Sequence, residues 1–370
     1  MRRNSSRITG FESRGMESGR IKSLDGLRGI FAVCVLSGHF FLVERRPDPT
    51  YFQNLALAVQ FFFILSGVAL CHGMSRHIVS GQFSLRAFAR QRLARLYPMH
   101  LLSMGIAGIF LPPIFFGAIP TSGNLLKEAL ANFLLLQAMG PIEGRSWNVV
   151  SWSISTEFWV GLIVLPLAMK RLRGPLALAL AVACYALIFM VNHTVSLPFE
   201  RTAPGVTLAA LSTGAGLLAG VGTFQLLAAA RGCPGRWAPV IEPVLLGLIL
   251  VIIWRGARGY QEAIALACMP VLIYLNASSA TWLTRVLGSR TFTWLGQISF
   301  SVYLVHMSVH GALRMAGLDG ALPMAATYLI YLISSLGLAS ILFRYVEAPL
   351  YAKLRGPVLI PRDSRVPVAQ

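Results

Sequence analysis

The first hydrophobic segment of the chain carries an arginine and a histidine. Arg28 lies near its start and His39 follows eleven residues later. Eleven helical steps of about 100° come close to three turns, so both side chains share one face, about 16 Å apart along the axis. Ionisable residues inside a membrane span are costly and usually functional. An imidazole in such a place is a candidate general base.

A carboxylate in a later segment is predicted to lie at the depth of His39. Glu157 ends the polar run 151–157 and is the only carboxylate well inside a predicted span. A carboxylate next to an imidazole fixes its tautomer and stabilises the imidazolium. Taken singly, His39 could be a packing histidine and Glu157 an acid bonded to serines. Together with Arg28 they favour a catalytic interpretation.

The basic loop 83–98 is predicted to form an amphipathic helix on the cytoplasmic side. Arg86 and Arg90 lie on one side of its apolar face, and Arg92 and Arg95 lie on the other. One interpretation is an interfacial helix that contacts anionic lipid. The other is that Arg92 and Arg95 bind a phosphorylated ligand, because guanidinium groups suit phosphate.

Two further clusters contain polar side chains within apolar segments. Ser153 and Ser155 precede Glu157, and Tyr303 and His306 lie in the segment 300–306. For His306, a substrate pocket and polar packing both stay open. The other histidines, including His310, are expected to be structural or exposed.

These residues must be positioned by a polytopic bundle of helices. The chain has 370 residues, of which 55% are hydrophobic and 12% charged, whereas soluble proteins have about 25% charged residues. The composition predicts an all-α membrane protein of about ten transmembrane helices. No cleavable signal peptide is expected, because the first twenty-odd residues are polar and basic.

The positive charges predict the orientation. With both termini in the cytoplasm, 23 of the 32 Lys and Arg residues fall in cytoplasmic segments and eight in outer ones. This asymmetry accounts for the net charge of +18 without a nucleic-acid partner. A short apolar stretch, 125–139, is expected to be re-entrant or interfacial. The predicted spans are 26–43, 54–74, 96–118, 150–169, 175–192, 205–229, 238–254, 260–278, 298–316 and 323–343.

The predicted domain organisation is simple. Residues 23–350 form the membrane domain, 1–22 a cytoplasmic tail, and 351–370 a second cytoplasmic tail that is expected to be disordered. Gly216 and Gly220, with Ser212 at the same spacing, predict close helix packing in the sixth span.

Six motifs, in order, resemble those of the integral-membrane acyltransferase-3 family over nearly the whole chain. Two positions depart from the family pattern: Gln91 stands where an arginine is usual, with Arg90 adjacent, and His100 stands near a usual tyrosine. The six motifs are Leu24-Asp25-Gly26-Leu27-Arg28-Gly29 with His39, Phe62-Phe63-Ile64-Leu65-Ser66-Gly67, Arg92-x-x-Arg95 with Pro98, Ser151-Trp152-Ser153-x-Ser155-x-Glu157, Ser301-x-Tyr303-x-x-His306, and Tyr345-Val346-Glu347-x-Pro349.

The resemblance implies a bacterial O-acetyltransferase type of activity in the inner membrane. The donor would be cytoplasmic acyl-coenzyme A, such as acetyl-CoA, and the acceptor a hydroxyl of an envelope or exported carbohydrate, such as a polysaccharide or lipopolysaccharide. No permanently bound cofactor or metal is expected. Alternatives are O-acylation of a small metabolite such as a macrolide, a transporter of an anionic or acylated solute, or a non-enzymatic sensor.

Roles for individual residues follow from the motifs and the resemblance together. His39 is predicted to be the general base or, as an alternative, a transient acyl carrier, with Glu157 orienting it. Arg28, Arg92 and Arg95, with Arg90 beside them, would bind the phosphates of the donor, or Arg28 would position its acyl end. The predicted acceptor pocket contains Ser153, Ser155, Tyr303 and His306.

Overall fold

The computed structural model describes residues 21–44, 54–110, 125–140, 147–195, 202–203, 206–230, 235–318 and 321–356. These residues are almost entirely helical; a two-residue β pair, β1 (Thr202–Ala203) with β2 (Val206–Thr207), precedes one helix. The helices are α1 Lys22–Glu44, α2 Leu55–Val79, α3 Leu85–Phe110, α4 Leu125–Phe133, α5 Trp152–Arg171, α6 Gly174–Asn192, α7 Leu208–Ala229, α8 Ala238–Trp254, α9 Tyr260–Ser278, α10 Trp282–Leu287, α11 Arg290–Met315, α12 Met324–Leu342 and α13 Ala348–Leu354.

Each of the ten predicted spans overlaps one of these helices, and residues 111–118 of the third span lie outside the described residues. Eight helices in the described ranges are long and apolar enough to cross a membrane, namely α1, α2, α3, α5, α6, α7, α9 and α12 with its extension. The apolar helix α8 has only 17 residues, and α11 has 26 residues but carries polar side chains along its length. The chain is an all-α, polytopic membrane protein.

The helix predicted in the loop 83–98 is present from Leu85. It continues without a break into the third span, so that both form one helix, α3, which passes through Pro98. Its first half consists of strong helix formers, and the backbone N–H of Ala87 donates to Ser84 Oγ at its start (3.4 Å). Because the helix is continuous, Arg92 is carried into the bundle, where its side chain is 6% exposed.

The helical geometry changes at the end of α12, shortly before a proline. Residues Phe343–Glu347 form a π-helical turn before α13 begins at Ala348. Pro349 has no N–H to donate to Tyr345 and crowds that carbonyl, and widening the turn is one way to accommodate both effects. The turn leaves Glu347 almost fully buried inside the bundle. Helix α13 continues to Leu354, four residues past the predicted end of the domain; most of both predicted tails lies outside the described residues.

Glycines set the close approach of α1 and α11. A Cβ on Gly29 would lie 2.6 Å from Leu295 Cβ, and one on Gly296 would overlap the backbone of Asp25. The two helices run parallel, since Asp25 is beside Gly296 and His39 is beside His306. The predicted packing of Gly216 and Gly220 is confirmed, because both meet α2 with no room for a Cβ.

Substituting Gly296 by alanine is expected to destabilise the protein by about 1–3 kcal/mol, because the added methyl group must push α11 away from α1 and overpack the contact. Thermal unfolding in detergent micelles measures the effect. Gly337→Ala is the matched control, because a Cβ there meets nothing within 4 Å. Equal stability of the two variants would contradict the prediction.

Candidate active site

A cavity of about 420 Å³ opens where α1 begins. We call this end of the bundle the near face. The walls come from the start of α1, the end of α7, the end of α2 and the residues after α12, so these ends lie together. Polar groups line it beside apolar ones; they include Asp25, Arg28, His72, Arg95, Gln297 and Tyr351. We call this the outer cavity.

A second cavity, of about 180 Å³, continues from the outer cavity into the bundle. Arg28, Ala69 and Arg95 line both, so the two cavities share a wall. We call this the inner cavity. Its apolar walls are mainly aromatic and aliphatic side chains of α2, α3, α5 and α11. Its polar lining includes six predicted site residues: Arg28, Arg92, Arg95, Ser153, Glu157 and Tyr303.

Glu157 is paired with Arg92 and not with His39. Arg92 Nη2 lies 3.1 Å from Glu157 Oε1 and donates to the backbone oxygen of Glu157, also at 3.1 Å. Both side chains are shielded, at 6% and 17% exposure, so the opposite charges compensate each other in a poorly solvated place. The expected contact between the carboxylate and the imidazole of His39 is therefore replaced by a guanidinium–carboxylate pair.

Arg95 is paired with a carboxylate to which the sequence analysis assigned no role. Its Nη1 contacts Glu347 Oε1, and Ser301 Oγ donates to the other oxygen of Glu347 at 2.5 Å. The guanidinium also lies over the ring of Phe300, 5.4 Å from its centroid. The motif Tyr345-Val346-Glu347 contains this glutamate, so the sequence could have marked it as a candidate. The sequence does not show that its side chain enters the bundle, which follows from the π-helical turn.

His39 contacts a second histidine, His306. Its Nδ1 lies 3.1 Å from His306 Nε2 and 3.1 Å from the carbonyl oxygen of Val35. His306 Nδ1 in turn lies 3.1 Å from the carbonyl oxygen of Val302. His306 is fully buried, whereas His39 is only partly buried. The structure thus brings two predicted residues into direct contact that the sequence analysis placed in different roles.

Tyr303 connects the inner cavity to this histidine pair. Its hydroxyl donates to the carbonyl oxygen of Val150 (2.8 Å) and is 2.8 Å from Ser153 Oγ. Its ring centroid lies 6.2 Å from that of His306, three residues on along α11. Arg28, the inner cavity, Tyr303 and the histidine pair therefore follow one another away from the near face.

Two predicted site residues lie away from both the cavities and the histidine pair. Ser155 is fully buried, and its hydroxyl donates to Leu135 O (2.6 Å) and accepts from Ala138 N–H (3.2 Å), so it holds the segment after α4. Arg90 is exposed and lies beside Gly356. Neither residue lines the two cavities.

A contact between a histidine and a carboxylate lies one turn beyond the histidine pair. His310 Nε2 is 2.6 Å from Glu44 Oε1, and the imidazole stacks on Phe40 with centroids 5.2 Å apart. Its partner is thus a carboxylate at the end of α1. Within the described ranges, no group of three His, Cys, Asp or Glu side chains is arranged to hold a metal ion.

Known proteins are similar to the chain over much of its length. The family model described as "Acyltransferase domain" matches residues 21–344. "Acyltransferase MdmB" from Streptomyces mycarofaciens is 28% identical over 336 residues, which cover 78% of this chain and 79% of that protein. "Protein 2 in picA locus" from Rhizobium radiobacter is 27% identical over 181 residues, 45% of this chain and 91% of that protein. No solved structure matches the chain.

Proposed function

Since the chain belongs to the acyltransferase-3 family and is an integral membrane O-acyltransferase, we propose that it transfers an acyl group from acyl-coenzyme A to a hydroxyl of an envelope or exported carbohydrate. The simplest donor is acetyl-CoA. The observation that carries this proposal is the pair of adjoining cavities that leads from the near face to Tyr303, whose ring centroid lies 6.2 Å from that of His306. The excess of positive charge in the predicted cytoplasmic segments supports a cytoplasmic near face, and a bacterial inner membrane is part of the same proposal.

The donor would enter from the near face. Its phosphates would lie in the outer cavity near Arg28 and Arg95, since guanidinium groups bind phosphate oxygens in pairs. The apolar walls of the inner cavity suit the pantetheine arm and the acyl group, which carry few charges. The thioester would then lie on the Tyr303 side of the inner cavity, towards the histidine pair.

The transfer step uses His39 as a general base. The imidazole removes the proton of the acceptor hydroxyl while the hydroxyl oxygen attacks the thioester carbonyl. The C–S bond then breaks, an ester forms, and the departing coenzyme A thiolate takes the proton back from His39. The products are the O-acyl ester and the free thiol, so no net proton and no oxidant is required.

The experiment that tests this function has two parts. Mass spectrometry of envelope and secreted glycans, from cells with and without the gene, is expected to show loss of an acetyl-sized or succinyl-sized increment. Purified protein in liposomes is expected to release free thiol from acetyl-CoA when the acceptor is present. Solute flux without thioester turnover would instead indicate a transporter. An increment lost only from small metabolites would overturn the carbohydrate acceptor.

Substituting Arg28 by glutamine is expected to raise the KM for acetyl-CoA by about 10- to 100-fold, because hydrogen bonds to charged groups contribute about 1.5–3 kcal/mol. Activity with acetyl-pantetheine, which has no phosphates, is expected to change little. Initial rates with both donors measure the difference. Arg86→Gln is the control, since Arg86 is exposed and lines neither cavity. An equal loss with both donors would contradict phosphate binding by Arg28.

A further inference from the structure

Three hydrogen bonds connect the two imidazoles to each other and to the backbone. His39 Nδ1 faces both Val35 O and His306 Nε2, and His306 Nδ1 faces Val302 O, all at 3.1 Å. The ring centroids are 4.9 Å apart, with a 42° angle between the planes. Each ring is therefore held by its own helix and by the other ring.

Only one arrangement of protons satisfies all three bonds with two neutral rings. A carbonyl oxygen only accepts, so the Nδ1 of each ring must carry a proton. The Nε2 of a neutral His306 is then bare and accepts from His39 Nδ1–H, which it shares with Val35. The opposite tautomers would keep the bond between the rings but lose both bonds to carbonyls. The tautomers of the two rings are thereby linked, and a proton on His306 Nδ1 goes with a proton on His39 Nδ1.

From this geometry we infer that His306 is a positioning residue that keeps the lone pair of His39 on Nε2. That nitrogen makes no hydrogen bond to the described residues, and His39 is only partly buried. The inference rests on the proposed role of His39 as base. It assigns to His306 the orienting role that was predicted for Glu157.

His306 does not itself receive the proton from the acceptor. Both of its ring nitrogens have partners within 3.1 Å, and the residue is fully buried. When His39 becomes protonated on Nε2, its Nδ1–H still donates to His306, and a hydrogen bond from a charged donor is stronger than a neutral one. His306 thus stabilises the imidazolium without a change in its own protonation.

The tautomer can be observed without any substrate. In protein labelled with ¹⁵N-histidine and reconstituted in nanodiscs, the resonances of His39, assigned by their loss in His39→Gln, are expected to show a proton on Nδ1 alone. His306→Leu is expected to give a mixture of tautomers, because one of the two acceptors is lost. His306→Gln, whose amide oxygen can accept, is expected to restore the single form. An Nε2 proton in the unsubstituted protein would overturn the inference.

Kinetics provide the second test. His306→Leu is expected to lower kcat about 10- to 100-fold with little change in the KM for acetyl-CoA, and His306→Gln to recover much of the loss. His310→Gln is the control, since this buried histidine on the same helix pairs with Glu44 instead. A normal kcat for His306→Leu would overturn the inference while leaving the proposed function intact. Absence of thioester turnover in the unsubstituted protein would overturn that function and leave the tautomer measurement valid.

Discussion

Replacing His39 by glutamine is expected to reduce acyl transfer by about 10²- to 10⁴-fold, the usual contribution of a general base. Glutamine preserves the size of the side chain and can donate to Val35 O, but it cannot take up a proton. The amount of protein in the membrane is expected to stay the same, because His39 is only partly buried. Thiol release from acetyl-CoA, normalised to protein abundance, measures the loss.

The same substitution at another histidine tests whether the loss of activity is specific to His39. His77 lies near the end of α2 and lines neither cavity, so His77→Gln is expected to remain active. If His39→Gln retained most of the transfer activity, the imidazole could not be the base. A stable acyl adduct on His39, detected by mass spectrometry after a chase without acceptor, would support the acyl-carrier alternative instead.

Replacing Glu157 by alanine is expected to destabilise the protein by about 3–5 kcal/mol, the usual cost of leaving one partner of a buried ion pair uncompensated. Arg92 would remain charged at 6% exposure without the carboxylate. The combined variant Arg92→Met with Glu157→Leu is expected to recover most of the stability, since it removes both charges and keeps the volume. Thermal unfolding in detergent micelles gives the comparison.

The same variants separate stability from function. Both side chains line the inner cavity, so the combined variant is expected to be folded but poor at transfer. If Glu157→Ala were as stable as the combined variant, the pair would not be the source of stability. If the combined variant were fully active, neither residue would serve the donor or the base.

The sequence was sufficient for the order of the helices and for the shared face of Arg28 and His39. Hydrophobic length places the spans, and a spacing of eleven residues is a local property of one helix. Partners across helices were not accessible in this way. Glu157 and His39 were matched by depth along the membrane normal, but depth does not determine the rotation of α5, which turns Glu157 towards α3.

Two prolines explain the other differences. Pro98 lies inside α3 without ending it, so one continuous helix brings Arg92 and Arg95 to the inner cavity. Pro349 is compatible with several ways of ending a helix, and only the observed π-helical turn explains why Glu347 meets Arg95. The sequence shows where both prolines lie, but it does not determine which backbone conformation forms around each of them.

The wall that the two cavities share has a consequence for the membrane as a permeability barrier. Arg28 and Arg95 line both the outer and the inner cavity, so their positive charges would attract and retain a ligand with several negative charges. They would not retain an uncharged thioester arm. Under the proposed function, the nucleotide end of the donor closes the passage while its acyl end extends towards His39. Only a small neutral group changes sides, and the membrane does not leak ions or metabolites during turnover.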